Sequence, residues 1–191
     1  MSKIISSEDL SKKIEFLKKK NKKIVLCHGV FDIIHAGHIS HFKSANKFGD
    51  ILIISVTIDK FVNKGFNRPM FDLSNRKKIL SELNIVDYVC ESNSQDAISI
   101  IEKIKPNIYC KGPDYKNFNH DITNKIKQEI KILRKFGGKF KVTEDQTYSS
   151  SKIINMLNKG ATLNEKFLLK INKNFTKEKI NKAIESFNNL K

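Results

Sequence analysis

Apolar residues fall along this chain in two alternating rhythms. Short apolar runs recur at Ile24-Val25-Leu26-Cys27, Ile51 to Val56, Tyr88-Val89-Cys90, Ile108-Tyr109-Cys110 and Phe140-Lys141-Val142. The second runs over six residues with only Ser55 polar, the mark of a strand buried on both faces of a parallel sheet. Between the runs the spacing turns helical. Ser6 or Ser7 caps a first helix through about Lys20, with Ile14, Phe16 and Leu17 expected on its inner face. A helix from Gly37 to Phe48 is expected to end on Gly49 as its C-cap. Leu73 to Leu83 follows, with Asp72 or Ser74 near its start. Residues 95–104 form a helix ended by Pro106, and Ile122 to Phe136 one closed by Gly137-Gly138. A last helix begins near Ser149.

Strands alternating with helices five times predict an α/β fold: a Rossmann-like, doubly wound, five-stranded parallel sheet with right-handed crossovers, helices on both faces and a C-terminal helical tail. The segments 29–38, 57–72, 111–120 and 144–151 all follow strands, so they should gather at one rim, where such sheets bind ligands. Residues 1–21 read as an N-terminal helix, 22–158 as the main domain and 159–191 as a helical tail or linker. The tail is lysine-rich and amphipathic, which makes it a candidate dimerisation element as well.

Composition narrows the picture. The 191 residues are 39% hydrophobic, enough for a real core. The formal charge of +16 raises a nucleic-acid reading. The excess is nearly all lysine, however, with arginine only at 68, 76 and 134, and arginine is the usual bidentate reader of phosphate and guanine. The charge is therefore read as steering for anionic small molecules, with no nucleic acid as partner. Cys27, Cys90 and Cys110 are far apart, form no CxxC and sit at strand ends, which suits structural thiols in a reducing compartment. The start, MSKIISSEDLSKKIEF, has no apolar leader segment, and no stretch approaches membrane-spanning length. A cytoplasmic protein with no membrane partner is expected.

The candidate chemistry sits where the first strand meets the next helix, in Gly29-Val30-Phe31-Asp32-Ile33-Ile34-His35-Ala36-Gly37-His38. A glycine turn, two histidines three apart and a helix start suit phosphate, because main-chain N–H groups and the helix dipole attract anions there. The histidines can add donors aimed at developing charge. A satisfied surface pair, or a zinc half-site with His28 and His41, stays open on these residues alone, although no cysteine or carboxylate cluster supplies further zinc ligands at usual spacing.

GVFDIIHAGH resembles the GxFDxxHxGH segment of the HxGH nucleotidyltransferase superfamily, in the branch of glycerol-3-phosphate cytidylyltransferase and the adenylyltransferase that makes ADP-heptose. Further pieces follow in order: Phe48-Gly49-Asp50, Arg68-Pro69 with Asn75-Arg76-Lys77, Val86-Asp87-Tyr88-Val89, the loop Lys111-Gly112-Pro113-Asp114-Tyr115, and Tyr148-Ser149-Ser150-Ser151-Lys152-Ile153. The resemblance spans about residues 22–157 and implies roles. His35 and His38 contact the triphosphate and stabilise the transition state. The main chain at Gly29, Val30 and Phe31 borders the nucleotide. Asp32 lies near phosphate or magnesium, or shapes the loop. Arg76 reaches phosphate as a third catalytic residue. Lys111, Gly112 and Asp114 line the base and ribose side. Tyr148, Ser149, Ser150 and Ser151 bring a helix N-terminus to phosphate. Lys43 and Lys47 on the helix after the motif are candidates to face the phosphates, with at least one of them expected in solvent.

The implied reaction is attack of an acceptor phosphate on the α-phosphorus of a nucleoside triphosphate, with loss of pyrophosphate. Mg²⁺ is held mainly through the triphosphate, and no protein metal site is expected. The acceptor is a sugar phosphate or polyol phosphate, and the product serves surface glycan synthesis. The Lys111 loop resembles the heptose enzyme's, which favours ATP slightly over CTP. Departures point away from glycerol 3-phosphate: Thr143 to Thr147 contain no arginine, and Ser40 and Asn46 replace two lysines. Pro113 also stands where the heptose enzyme has glycine. The tail resembles the joint to a ribokinase-type sugar kinase in fused relatives, so fusion to such a domain is a further expectation. A nucleotide-binding domain without turnover remains the alternative.

Overall fold

The computed structural model describes residues 2–64, 68–115 and 125–145. Helix α1 (Ser7–Lys19) leads to β1 (Ile24–Gly29), α2 (Ala36–Asn46), β2 (Ile51–Thr57), α3 (Leu73–Ser81) and β3 (Tyr88–Ser92). Then come α4 (Ile98–Ile104), β4 (Ile108–Lys111), α5 (Lys125–Lys135) and β5 (Lys139–Val142). The five strands are parallel and lie in the order β3-β2-β1-β4-β5. The chain winds outward from β1 to β3, then returns to the other side of β1 for β4. That reversal leaves a crevice beyond the carboxyl ends of β1 and β4, the switch point of a doubly wound sheet.

The alternation along β1 divides the core. Ile24 and Leu26 pack with Leu10 and Ile14 of α1, Ile100, Ile101 and Ile104 of α4, and Ile126 and Leu133 of α5. Val25 and Cys27 pack on the other face with Phe42 and Ala45 of α2 and Leu80 of α3. The expected Rossmann-like architecture, with helices on both faces, is present. No helix among the described residues is long and apolar enough to cross a membrane.

Local signals behave as their chemistry dictates. Ser6 caps α1 by accepting from Asp9 N at 3.1 Å, and Asp72 caps α3 by accepting from Asn75 N at 2.8 Å. Gly137 closes α5 with φ of 74°, the left-handed conformation that glycine adopts without steric cost. Three expectations change. Phe16 is not on the inner face of α1; it is 56% exposed, and Leu10 takes the buried place instead. The second helix stops at Asn46 with Lys47 as its C-cap, so Gly49 is no helix cap. A Cβ on Gly49 would meet Lys23 O and Val25 Cγ2, each at 2.7 Å, so this glycine is needed for close approach to the start of β1. In addition, Ile5 N donates to Val89 O and Val89 N donates to Lys3 O, which covers the outer edge of β3 with the N-terminal segment. The helix expected from Ser149, its residues Tyr148 to Ser151 and the tail lie outside the described residues.

Candidate active site

The decapeptide is shaped by how β1 turns into α2. Phe31 adopts φ of 50°, an uncommon conformation for a bulky residue, which turns the chain sharply after β1. Its ring is buried and meets the edges of His38 and Phe42, with centroids 5.6 Å and 5.3 Å away. His35 becomes the N-cap of α2. Its Nδ1 accepts from His38 N at 3.3 Å, while His35 N donates to His38 Nδ1 at 3.4 Å. This is a capping box in which both partners are imidazoles. The two rings stack with centroids 3.8 Å apart.

The arrangement fixes protonation. Each Nδ1 accepts from a main-chain N–H, so in the neutral ring the proton is assigned to Nε2. Burial lowers the pKa of His38 to about 3, helped by His35, His41 and Lys64 nearby. Burial also lowers His35. At neutral pH the helix therefore starts with two neutral imidazoles carrying Nε2–H donors. An anion held at these donors would shift this balance toward the imidazolium by adding opposite charge.

A cavity of about 380 Å³ opens in the crevice. Gly29, Val30 and Phe31, then His35 and His38, form one side of its wall. Lys111, Gly112 and Asp114 form another, so the structure brings these eight sequence-predicted residues together. Lys111 ends β4 and is itself buried; its Nζ donates to His28 O at 3.2 Å and lies 4.8 Å from the centre of the Tyr115 ring.

Three candidates are placed elsewhere. Arg76 is 0% exposed and does not line the cavity. Its Nε donates to Phe71 O at 2.9 Å and Nη1 to Val30 O at 2.5 Å. Its Nη2 donates to Thr57 O at 2.9 Å and to Asp59 Oδ1 at 2.5 Å. The guanidinium ties the loops after β1 and β2 together, which corrects its expected contact with phosphate. Asp32 is likewise buried off the cavity wall. It accepts from Arg68 Nε at 2.5 Å, Met70 N at 2.7 Å and Phe71 N at 3.1 Å, so it shapes the loop, the second of its two expected roles. Lys47 is exposed at the far end of α2, away from the cavity, because the helix carries it out to solvent. Lys43 is exposed as well.

Several wall residues were not assigned to the nucleotide site from the sequence, His28 and His41 having entered only as zinc partners. His41 lies one turn into α2, where its Nδ1 pairs with Thr143 Oγ1 at 2.9 Å. Burial takes its pKa to about 4, against the opposing pull of Asp145. Ser44 donates to Asp145 Oδ1 at 2.8 Å, so α2 and the segment after β5 are doubly tied. His28, Thr57, Asn63, Lys64, Gln95 and Tyr115 also face the cavity. For His28 a signal existed: a polar residue continues the inward rhythm of Ile24 and Leu26. Among the described residues no three His, Cys, Asp or Glu side chains group as a metal site. Asp114 is the one carboxylate on the described cavity wall.

A parallel sheet with its reversal beside β1, and a helix start armed with two imidazole donors there, define a phosphate-handling α/β domain. The chain belongs to the cytidylyltransferase-like family, whose model matches residues 26–156. Its relatives include the bifunctional protein HldE of Helicobacter pylori (strain J99), 33% identical over 147 residues, covering 76% of this chain and 30% of that protein. HldE of Actinobacillus pleuropneumoniae serotype 5b (strain L20) is 39% identical over 115 residues, 59% of this chain and 24% of that protein. The chain thus spans about a quarter of the length of the curated relatives it matches. Among solved structures, the lipopolysaccharide core biosynthesis protein of Thermoplasma volcanium has a TM-score of 0.51 at 28% identity, covering 67% of this chain and 99% of that one. Pantoate-beta-alanine ligase of Francisella tularensis shares the fold, with a TM-score of 0.53 at 21% identity over 81% of this chain and 73% of that one.

Proposed function

We propose that this domain transfers a nucleoside monophosphate from ATP, in preference to CTP, to a sugar phosphate or polyol phosphate. An acceptor phosphate oxygen forms a bond to the α-phosphorus, the bond to the bridging oxygen of the β-phosphate breaks, and pyrophosphate leaves. The product serves surface glycan assembly. The observation that carries this reading is the reciprocal His35–His38 capping box at a helix start on the cavity wall, opposite buried Lys111.

The residues can do the work such a reaction needs. A phosphate monoester dianion is already nucleophilic, so no strong general base is required. Positioning and charge stabilisation supply the rate. The Nε2–H groups of His35 and His38 donate to the triphosphate where charge develops. Lys111 supplies a fixed positive charge from a second strand. Gly29, Val30 and Phe31 let main chain approach the nucleotide, and Gly112 and Asp114 border its ribose and base side. Tyr148, Ser149, Ser150 and Ser151 are the remaining candidates for phosphate donors. The donor set suits Mg²⁺ carried by the nucleotide: Asp114 is the single carboxylate on the described wall, while the remaining polar groups there suit anions. Bound magnesium would offset charge on the triphosphate.

The name "bifunctional" of the relatives, and the quarter of their length this chain spans, support a second catalytic domain beside this one, a sugar kinase supplying the phosphorylated acceptor. The likeness of the Lys111 loop to that of the heptose enzyme favours heptose 1-phosphate with ATP as the first pair to test. Pyrophosphate release is measured with Mg²⁺, ATP or CTP, and heptose, mannose and glucose 1-phosphates or glycerol 3-phosphate. One pair should turn over, and His35→Ala should lower its kcat by about 10²–10³-fold, as for loss of a transition-state donor. No release with any pair, or an unchanged rate in His35→Ala, would overturn the proposal.

A further inference from the structure

We propose that His28 selects the acceptor, its Nε2 hydrogen-bonding a hydroxyl of the sugar or polyol phosphate. This inference rests on the nucleotidyl-transfer reading above and deepens it.

His28 stands at a position the fold would fill with an apolar residue. It continues the face of β1 on which Ile24 and Leu26 enter the core, and it is only 6% exposed. A buried polar side chain there needs partners for both ring nitrogens. Nδ1 has one: it lies 3.2 Å from the hydroxyl of Ser55, its register partner on β2. Nε2 is buried and makes no hydrogen bond. His28 is also part of the cavity wall, beside Thr57, Asn63 and Gln95. Nε2 itself is closed off from solvent, so a group in the cavity reaches it once the ring or a neighbouring wall side chain shifts.

The ring's state says what kind of group it is. Burial pushes the pKa of His28 down to about 3, and Lys111 adds to the effect, while main-chain oxygen at Gln95 opposes it weakly. The ring is neutral at physiological pH, and its Nε2 makes no hydrogen bond of good geometry although the main-chain oxygen at Gln95 lies near the ring. Phosphate calls for cations or several N–H donors, which α2 and Lys111 provide. A single nitrogen of a neutral imidazole suits a hydroxyl, which can donate or accept and so matches either tautomer. Location narrows it further. The ring leans toward β2 through Ser55, away from the Lys111-Gly112-Asp114 loop on the β4 side. Yet Lys111 Nζ donates to the carbonyl of His28 itself at 3.2 Å. A hydroxyl read by His28 thus lies near a phosphate held by Lys111, as in one small phosphorylated polyol.

The test compares wild type with His28→Leu and His28→Gln, using ATP, Mg²⁺, heptose 1-phosphate and mannose 1-phosphate, and monodeoxy forms of each sugar. Wild type should lose roughly tenfold or more in kcat/KM on one deoxy acceptor, since a site built around a hydroxyl rejects the analogue lacking it. His28→Leu should lower kcat/KM on the full acceptor by a similar factor, mainly through KM, and should no longer distinguish that deoxy form. His28→Gln, which keeps a donor and an acceptor, should retain part of the discrimination; it carries the comparison if the leucine variant does not fold. ATP affinity should stay within about twofold in both. Discrimination between full and deoxy acceptors that is unchanged in the folded variants would overturn the proposal. So would a loss confined to discrimination between ATP and 2′-deoxy-ATP, which would assign the hydroxyl to the nucleotide ribose. Failure of the underlying reading shows separately, as absence of pyrophosphate release by wild type.

Discussion

Replacing Arg76 separates a structural brace from a phosphate ligand. In Arg76→Leu the chain keeps a side chain of moderate bulk but loses four hydrogen bonds, to Phe71 O, Val30 O, Thr57 O and Asp59 Oδ1. Leaving a buried acceptor unsatisfied costs about 1–3 kcal/mol. The Thr57 carbonyl bond is the buried one, so it should cost most; the Val30 and Phe71 carbonyls are partly wetted and cost less. The Asp59 side chain is 44% exposed and can rehydrate, so its ion pair adds little beyond the median for surface pairs. The sum, taken as less than additive, is about 3–5 kcal/mol. With a urea slope near ~2 kcal/mol/M, the midpoint should fall by about 1.5–2.5 M. Because Val30 and Thr57 both border the cavity, nucleotide affinity should fall together with stability. Arg76→Lys should recover little, since an ammonium cannot serve four acceptors spread around a planar fork. Equilibrium urea unfolding and calorimetric ATP binding on the same preparations decide the matter. A variant within about 0.5 kcal/mol of wild-type stability that has lost only turnover would refute the brace and restore Arg76 to the phosphates.

Two further outcomes follow from the same geometry. His28, His38 and His41 have folded-state pKa values of about 3, about 3 and about 4, below the unfolded value near ~6.5. The unfolded chain therefore binds more protons between these limits, and stability is present above about pH 6.5 and lost as pH falls toward about 4. Each histidine contributes a slope of at most ~1.4 kcal/mol per pH unit; urea midpoints that stay level from pH 7.5 to 4.5 would contradict the buried, neutral rings. Gly49→Ala should cost about 1–3 kcal/mol, because its Cβ would press on Lys23 O and Val25 Cγ2 at 2.7 Å. Gly112→Ala meets nothing within 4 Å and should leave thermal stability unchanged, and equal melting shifts in the two variants would sink that distinction.

What the sequence disclosed divides along a physical line. Apolar runs and caps report backbone geometry directly, so five parallel strands and the start of α2 to within a residue were legible, and of the caps offered in pairs the structure takes Ser6 and Asp72. The direction of a polar side chain is set by tertiary neighbours, and there the sequence left Asp32 with two roles and pointed Arg76 at phosphate. Arg76 and Asp32 carry charge near a phosphate motif, which in sequence looks like ligand chemistry. Their partners are main-chain groups and the side chains of Arg68 and Asp59, brought in from other segments, which no local pattern reveals. Phe16 went wrong for a related reason: with α1 packed on α4, Leu10 and Ile14 fill the seam and Phe16 lies outside it.

The two sides of the cavity were legible to different degrees for a reason that bears on specificity. The phosphate end is built from helix-start chemistry, and that chemistry has a short local signature: an N-cap, a glycine and a histidine three residues on. The same main-chain donors serve any triphosphate, so the signature says nothing of base or acceptor. The opposite end is assembled from the last inward residues of separate strands, with His28 from β1, Thr57 from β2 and Lys111 from β4, plus Gln95 from the segment before α4. Each stands alone in sequence, and only the parallel register sets them side by side. A sheet buried on both faces has no structural need for polar groups at those strand ends. Their presence on the side facing the cavity is therefore the part of this fold most free to change with the acceptor while the phosphate end stays the same.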